Sequence, residues 1–185
     1  MIDRSLPWLV FPPAVDLANT IVITPKGPLD LLTNDWELDT WIKAERGRIA
    51  DVGSARGRLE DVRTLRDALY DLLHASAGGR RPAGDTIHFL NAVSRAVPVA
   101  PILDQRMRIR EEPSSADPFE RFQSALARSA MEVVGGEHGT LAECGAPSCG
   151  MLFLRNNLRQ TWCSSACGNR ARVARHAARS RGRVS

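Results

Sequence analysis

Residues 144–170 read CGAPSCGMLFLRNNLRQTWCSSACGNR, and this stretch holds all four cysteines of the 185-residue chain. Four residues separate Cys144 from Cys149, three separate Cys163 from Cys167, and thirteen lie between the two pairs. Such pairs are typical of a tetrahedral zinc site, and four sulfur ligands leave no open position for catalysis. We therefore predict one structural Zn²⁺ ion on these cysteines, with free thiols or disulfides as the alternative.

The residues around the cysteines predict a small local fold. Glycine and proline after Cys144 allow a knuckle, and the apolar run 151–154 predicts a strand. Residues 161–163 are expected to return as a second strand of the same hairpin. Cys163 and Cys167 would then lie one helical turn apart at the start of a helix. The layout predicts a treble-clef-like zinc finger.

Charge is divided unevenly along the chain. Residues 144–185 carry eight arginines and no carboxylate side chain, whereas residues 1–143 carry 17 basic and 21 acidic side chains, so the two parts have formal charges of +8 and −4. A zinc ion with four thiolates carries about −2, which leaves the C-terminal part at roughly +6. This asymmetry indicates a polyanionic partner for the C-terminal part.

A helix after Cys167 would place four arginines at positions i, i+3, i+7 and i+11. We call this set the arginine stripe: Arg172, Arg175, Arg179 and Arg183. Together with Arg159 and Arg170, the stripe is predicted to bind duplex DNA, because the single aromatic residue after Phe153 is Trp162 and stacking on single strands needs more. The alternative is a solvated basic tail, or one that docks on the acidic N-terminal part.

Composition limits the classes of protein to which the chain can belong. With 43% hydrophobic residues the chain can bury a sizeable core. The N-terminus lacks the regions of a signal peptide, and no apolar stretch is long enough for a membrane span. Four clustered cysteines do not make a secreted disulfide scaffold. We expect a cytoplasmic protein with no membrane partner.

The rest of the chain predicts helices with small β elements. Three helices are expected: one over residues 59–77, one capped by Asp85, and one that starts after Asp117 and ends at Gly135. Three further expectations concern shorter elements: a helix capped by Thr33 or Asn34, a strand or a short helix leading into a strand over residues 15–23 that breaks at 25–28, and a hairpin over 99–103 and 107–110.

The predicted fold class is α+β, with a mainly α-helical N-terminal domain and a C-terminal finger. We expect the domains to be residues 1–137, called the N-terminal part, and residues 138–185, called the cysteine module. Within the N-terminal part, Asp16, Asn19 and Thr20 gather polar groups that either bind a small ligand or cap helices and close turns. None of the four histidines has a catalytic context, so we expect no enzyme.

Both parts resemble known families. Trp162 and Cys163, followed by Cys167–Arg170 and Arg172, resemble the CGNR zinc finger, although three residues separate the last two cysteines where we expect four. Asp16–Thr20, Asp30–Leu32 and Trp41 resemble the ABATE domain that precedes this finger. The resemblance implies a bacterial, stress-induced transcription regulator with zinc, DNA as partner and a ligand-sensing N-terminal domain. The shorter cysteine spacing leaves the orientation of the following helix open.

Three hypotheses of function follow. The leading one is a DNA-binding transcription regulator with a structural four-cysteine finger, with a homodimer and a small-molecule effector as further expectations. The alternative is a ligand- or protein-binding module in which the finger is purely structural. The third is an enzyme acting on a small metabolite, which would need a pocket holding several titratable groups with shifted pKa values.

Overall fold

The computed structural model describes residues 10–49, 51–115 and 117–181, and its fold is α+β with four cysteines clustered near the C-terminus. The helices are α1 (Pro13–Ala18), α2 (Asp35–Ala44), α3 (Leu59–Ala77), α4 (Gly84–Ala96), α5 (Pro118–Gly135) and α6 (Ser165–Arg181). The strands are β1 (Ile21–Thr24), β2 (Gly27–Asp30), β3 (Val99–Leu103), β4 (Ile109–Pro113), β5 (Thr140–Glu143) and β6 (Leu152–Arg155). None of the described helices is both long and apolar enough to cross a membrane.

Helix α3 is the centre of the core. Its residues Val62, Leu65, Leu69 and Leu73 recur at helical spacing and are fully buried. The helix packs against α1, α4 and α5, and its predicted bounds are confirmed. Phe122 of α5 is fully buried in the same core.

Side chains cap α2 and α5 as predicted, and the predicted cap of α4 is wrong. Asn34 accepts the backbone N–H of Glu37 at 3.0 Å, and Asp117 accepts that of Phe119 at 2.8 Å, as predicted. Helix α4, however, begins after Ala83 rather than at a cap formed by Asp85. The carboxylate of Asp71 in α3 accepts the Ala83 N–H at 3.1 Å and the Thr86 hydroxyl at 2.7 Å, so a neighbouring helix contacts the start of α4.

The strands form three separate antiparallel hairpins, β1–β2, β3–β4 and β5–β6. The predicted break at residues 25–28 is too long, because Gly27 and Pro28 already pair with Thr24 and Ile23. Strand β4 begins at Ile109, two residues later than predicted.

In the cysteine module, β6 pairs with β5 and not with residues 161–163, which form no strand. The prediction that residues 161–163 form the second strand of this hairpin is therefore wrong. The strand that pairs with β6 comes before the cysteines in the chain, not after the turn at 155–157.

The cysteine module is packed directly onto the N-terminal part. Leu152 of β6 is fully buried in the main core. The amide of Asn19 donates to the Leu152 carbonyl at 3.0 Å and accepts the Leu152 N–H at 2.9 Å, and both bonds are buried. Nearby, Gly150 lies against Ile23 of β1, so close that an added Cβ would come within 2.5 Å of the Ile23 Cγ1 atom.

This close approach predicts that Gly150→Ala destabilises the protein more than a matched glycine substitution. Gly57 is the control, because it has a similar positive φ (+73° against +63°) but no atom within 4 Å of an added Cβ. Gly57→Ala should lower the free energy of unfolding by about 1–2 kcal/mol, the cost of a left-handed residue. Gly150→Ala should cost about 1–3 kcal/mol more, because Ile23 must move.

Urea denaturation of the zinc-loaded proteins, followed by circular dichroism, measures both values. Equal losses for the two variants would contradict the tight junction between Gly150 and Ile23.

Candidate metal centre and nucleic-acid interface

Four cysteine sulfur atoms converge at one point of the cysteine module. Cys144 and Cys149 lie on the knuckle between β5 and β6, Cys163 lies in the following loop, and Cys167 lies in the first turn of α6. The four Sγ atoms all lie within 4.8 Å of one another. Three of the separations are 3.5, 3.6 and 3.7 Å. A tetrahedral zinc ion with Zn–S bonds of about 2.3 Å requires S–S separations of about 3.8 Å, so the cluster fits one zinc ion.

The thiols also show why a cation belongs there. The hydrogen bond with the Cys163 thiol lowers the pKa of Cys149 to about 5, and the same bond raises the pKa of Cys163. Burial raises the pKa of Cys144. Without a cation, Cys144 and Cys163 therefore resist deprotonation. A bound metal ion reverses this balance, since it takes thiolates as ligands and releases their protons.

Hydrogen-bond donors surround the sulfur atoms. The backbone N–H of Cys163 donates to the Cys144 Sγ at 3.3 Å, and the Arg170 guanidinium donates to the Cys167 Sγ at 3.0 Å. Donors of this kind stabilise thiolate ligands and fix their orientation. Arg170 therefore acts as a clamp on the cluster, whereas the DNA contact that the sequence suggests for it stays a prediction.

Trp162 fills the space beside the cysteine cluster. A Cβ on Gly168 would lie 3.0 Å from the Trp162 Cδ1 atom, and a Cβ on Gly145 would lie 3.4 Å from its Cζ3 atom. The indole is thus held between two glycine backbones, one on the knuckle and one on α6.

Most of α6 beyond its first turn is exposed. Ala171 is buried at 4% exposure, whereas residues 175–180 are all exposed. Three members of the arginine stripe lie in this exposed part, namely Arg172, Arg175 and Arg179. Arg159 is exposed in the loop before α6, and Arg183 lies outside the described residues. The described basic side chains of α6 are therefore accessible to a partner, and the exposed Arg170 also contacts sulfur through one N–H group.

The three polar residues that the sequence singled out near the N-terminus are all buried. Asn19 binds the Leu152 backbone, and the Thr20 hydroxyl donates to the Leu17 carbonyl at 2.7 Å. Asp16 is fully buried and accepts a hydrogen bond from Arg48 at 2.9 Å. These contacts are those of the structural alternative, and a ligand-binding role for the three residues stays a prediction.

Asp16 belongs to a buried pair of carboxyl groups that sequence reasoning missed. Arg48 bridges the Asp16 carboxyl and the fully buried Glu45 carboxyl, at 2.9 and 2.8 Å, and also donates to the Phe11 carbonyl. Burial raises the pKa of Asp16 to about 8 against the opposing bond from Arg48, and the charge of Glu45 raises it further. Burial also raises the pKa of Glu45. Asp16 therefore keeps its proton at neutral pH.

A second missed contact joins the two parts of the chain through α3. His74 lies 3.2 Å from the Glu143 carboxylate at the end of β5 and stacks on Tyr70, with ring centroids 4.0 Å apart. Burial lowers the pKa of His74. The sequence pattern placed His74 only on a helix, because its partner lies 69 residues away.

Comparison with known families agrees with this geometry. The ABATE family model, described as "Putative stress-induced transcription regulator", matches residues 12–137, and the CGNR zinc finger model matches residues 140–180. Both resemblances found in the sequence are thereby confirmed. Neither description names an enzyme. No curated protein is significantly similar to the chain.

Metal removal should unfold the cysteine module. The purified protein should contain one zinc ion per chain, measured by atomic emission. Chelation should lower the melting temperature and shift tryptophan emission to the red, because Trp162 loses its two glycine walls. The chain has four tryptophans, so Trp162→Phe is the control that should lack most of the shift. A chelated protein with unchanged emission and melting temperature would overturn the zinc assignment.

The raised pKa of Asp16 gives stability a pH dependence of known sign. The folded state holds this proton up to about pH 8, whereas the unfolded chain releases it near pH 4. Between these values the unfolded state binds fewer protons, so this group's contribution to stability falls as pH rises. Asp16→Asn mimics the protonated carboxyl, so it should remove this fall in stability. The free energy of unfolding of the variant, relative to that of the wild type, should therefore rise from pH 5 to pH 8.

Asp30→Asn is the control for this measurement. Asp30 binds Arg66 at 2.6 Å, and its pKa is lowered despite partial burial. Its stabilisation is present above the unfolded pKa and is lost only in acid, so Asp30→Asn should cost a constant amount from pH 5 to pH 8. Urea midpoints of zinc-loaded proteins at pH 5, 6.5 and 8 give the comparison. Parallel curves for Asp16→Asn and the wild type would refute the shift.

Proposed function

The chain belongs to the ABATE family, and we propose that it is a transcription regulator whose cysteine module binds duplex DNA. The observation that carries this proposal is α6, an exposed helix with arginines along one side and no carboxylate. Zinc has a structural role here, since sulfur fills all four positions. Its function would be to hold the first turn of α6 in place through Cys167.

Electrostatics supports DNA as the partner. The part of the chain from residue 144 on keeps about +6 after four thiolates and zinc are counted. Arginines that neutralise phosphates release condensed counterions, so binding should weaken steeply with salt. Arginine can also contact guanine edges in the major groove.

The shape of α6 supports a groove-binding mode. Its 17 residues span about 25 Å, which is longer than the major groove is wide. Arg172, Arg175 and Arg179 follow one side of the helix. We assign these three arginines, with Arg159 and Arg183, to the DNA interface and Arg170 to the zinc cluster first.

We infer a division of roles between residues 1–137 and 138–185. The N-terminal part would receive a signal, and the cysteine module would contact DNA. The junction formed by Asn19 and Leu152 offers a route between them, because both hydrogen bonds are buried and any shift of α1 moves β6. A single finger reads little sequence, so a homodimer would supply specificity.

One observation favours the alternative that the cysteine module only completes the fold. Leu141 and Leu152 of its hairpin belong to the main hydrophobic core. A module with this role alone would keep its fold and lose nothing when the arginine stripe is neutralised. The two functions therefore differ in their response to arginine substitution.

The decisive variant is the triple substitution Arg172→Gln, Arg175→Gln and Arg179→Gln. Mobility shift with a 30-base-pair duplex of random sequence should show a strong loss of binding at low salt. If each arginine contacts one phosphate, the slope of log K against log salt should become shallower by about 3 × 0.9.

The control is Arg56→Gln, Arg81→Gln and Arg95→Gln, which removes the same charge from exposed positions of the N-terminal part. It should change the slope little. Equal effects of the two triple variants, or no binding by the zinc-loaded wild type at low salt, would sink the proposal.

A further inference from the structure

A cavity of about 580 Å³ lies between the β1–β2 hairpin and the cysteine module. Val22 and Ile23 form part of one wall, and Met151 forms part of the other, with Phe11 also in the lining. Ligand sites commonly have volumes of about 300–1,000 Å³ and mostly apolar walls with a few placed polar groups. The cavity matches this description in size and in lining.

Among the described lining residues, Arg170 carries the one charged side chain apart from the cysteines that ligate zinc. None of these lining residues has a carboxylate. One of its N–H groups donates to the Cys167 Sγ. A guanidinium has five N–H donors in a planar fork, so four remain for another acceptor. A carboxylate is the group that this fork binds best.

Two charges compete at this end of the cavity. The zinc-bound thiolates repel an anion, whereas Arg170 and the arginine stripe attract one. The stripe and its neighbours leave the residues from 144 on at about +6 even after the thiolates are counted. Arg170 lines the cavity together with the zinc ligands Cys149, Cys163 and Cys167, so an anionic group is favoured only in direct hydrogen-bonded contact with the guanidinium.

We propose that this cavity binds a small molecule with an apolar body and one carboxylate, the carboxylate on Arg170 and the body between Val22, Ile23 and Met151. Such a ligand touches the N-terminal part and the cysteine module at once. The role of such a ligand as an effector rests on the proposed function, whereas its binding to the cavity does not. The site differs from Asp16, Asn19 and Thr20, which do not line this cavity.

Calorimetric titration of the full, zinc-loaded chain tests the site with three probes of equal length, octanoate, 1-octanol and octylamine. Octanoate should bind at least tenfold more tightly than 1-octanol, and octylamine most weakly. Arg170→Gln should remove the advantage of octanoate over 1-octanol, and Arg170→Lys should restore part of it. Arg95→Gln, an exposed arginine that does not line the cavity, should leave all three affinities unchanged.

A second pair of variants does not touch the zinc cluster. Val22→Trp fills the cavity and should abolish binding of octanoate and 1-octanol alike, whereas Val134→Trp on the exposed side of α5 should not. If Arg170→Gln loses zinc, the Val22→Trp result decides. Absence of octanoate binding at millimolar concentration, binding that survives Val22→Trp, or tightest binding of octylamine would overturn the inference.

Mobility shift on the same preparations separates the two proposals. A wild-type protein that shifts DNA but binds no octanoate contradicts the cavity inference alone. A protein that binds octanoate but shifts no DNA contradicts the proposed function alone.

Discussion

Four cysteine thiolates can share one small volume only if a cation balances their charge, and the cysteine module depends on this constraint. Its strands have four residues each, and its own cluster of buried side chains is small, with Ala142, Ala146 and Phe153 beside three of the cysteines. Cys144 and Cys149 lie on the knuckle, and Cys167 lies on α6, so a metal ion joins these elements directly. The start of α6 is therefore set by metal coordination more than by helix packing.

The metal centre is in turn attached to the larger core. Asn19 holds the Leu152 backbone by two hydrogen bonds, and Gly150 admits Ile23 where any side chain would collide. Breaking a buried pair of this kind leaves polar groups without partners, at a cost of about 1–3 kcal/mol each. The knuckle consequently cannot move without disturbing α1 and β1, and a change in the N-terminal part has a short physical path to the zinc ligands.

Sequence reasoning succeeded where a local pattern carries the information. The leucine spacing of α3 and the cap at Asp117 are set by neighbours within a few residues, and the cysteine spacing marks its own ligands. It fails where the partner is distant: β5 has too few apolar residues to be predicted as a strand, and α4 begins after Ala83, beside Asp71 of another helix, rather than at the predicted cap Asp85. The Asp16–Arg48 contact was invisible for the same reason, since 32 residues separate its members.

The exposure of α6 argues against a purely structural role more strongly than its sequence alone does. A helix that serves only to complete a fold buries one face, yet from residue 175 to residue 180 every side chain is exposed. Isolated helices of this length are marginal in water, and like charges three and four residues apart weaken them further. Arg172, Arg175 and Arg179 therefore destabilise the free helix, and a polyanion would relieve that repulsion as it binds. Zinc coordination anchors one end of α6, and repulsion among the arginines weakens the rest of the helix. The proposed DNA partner would relieve this repulsion and so stabilise the helix that binds it.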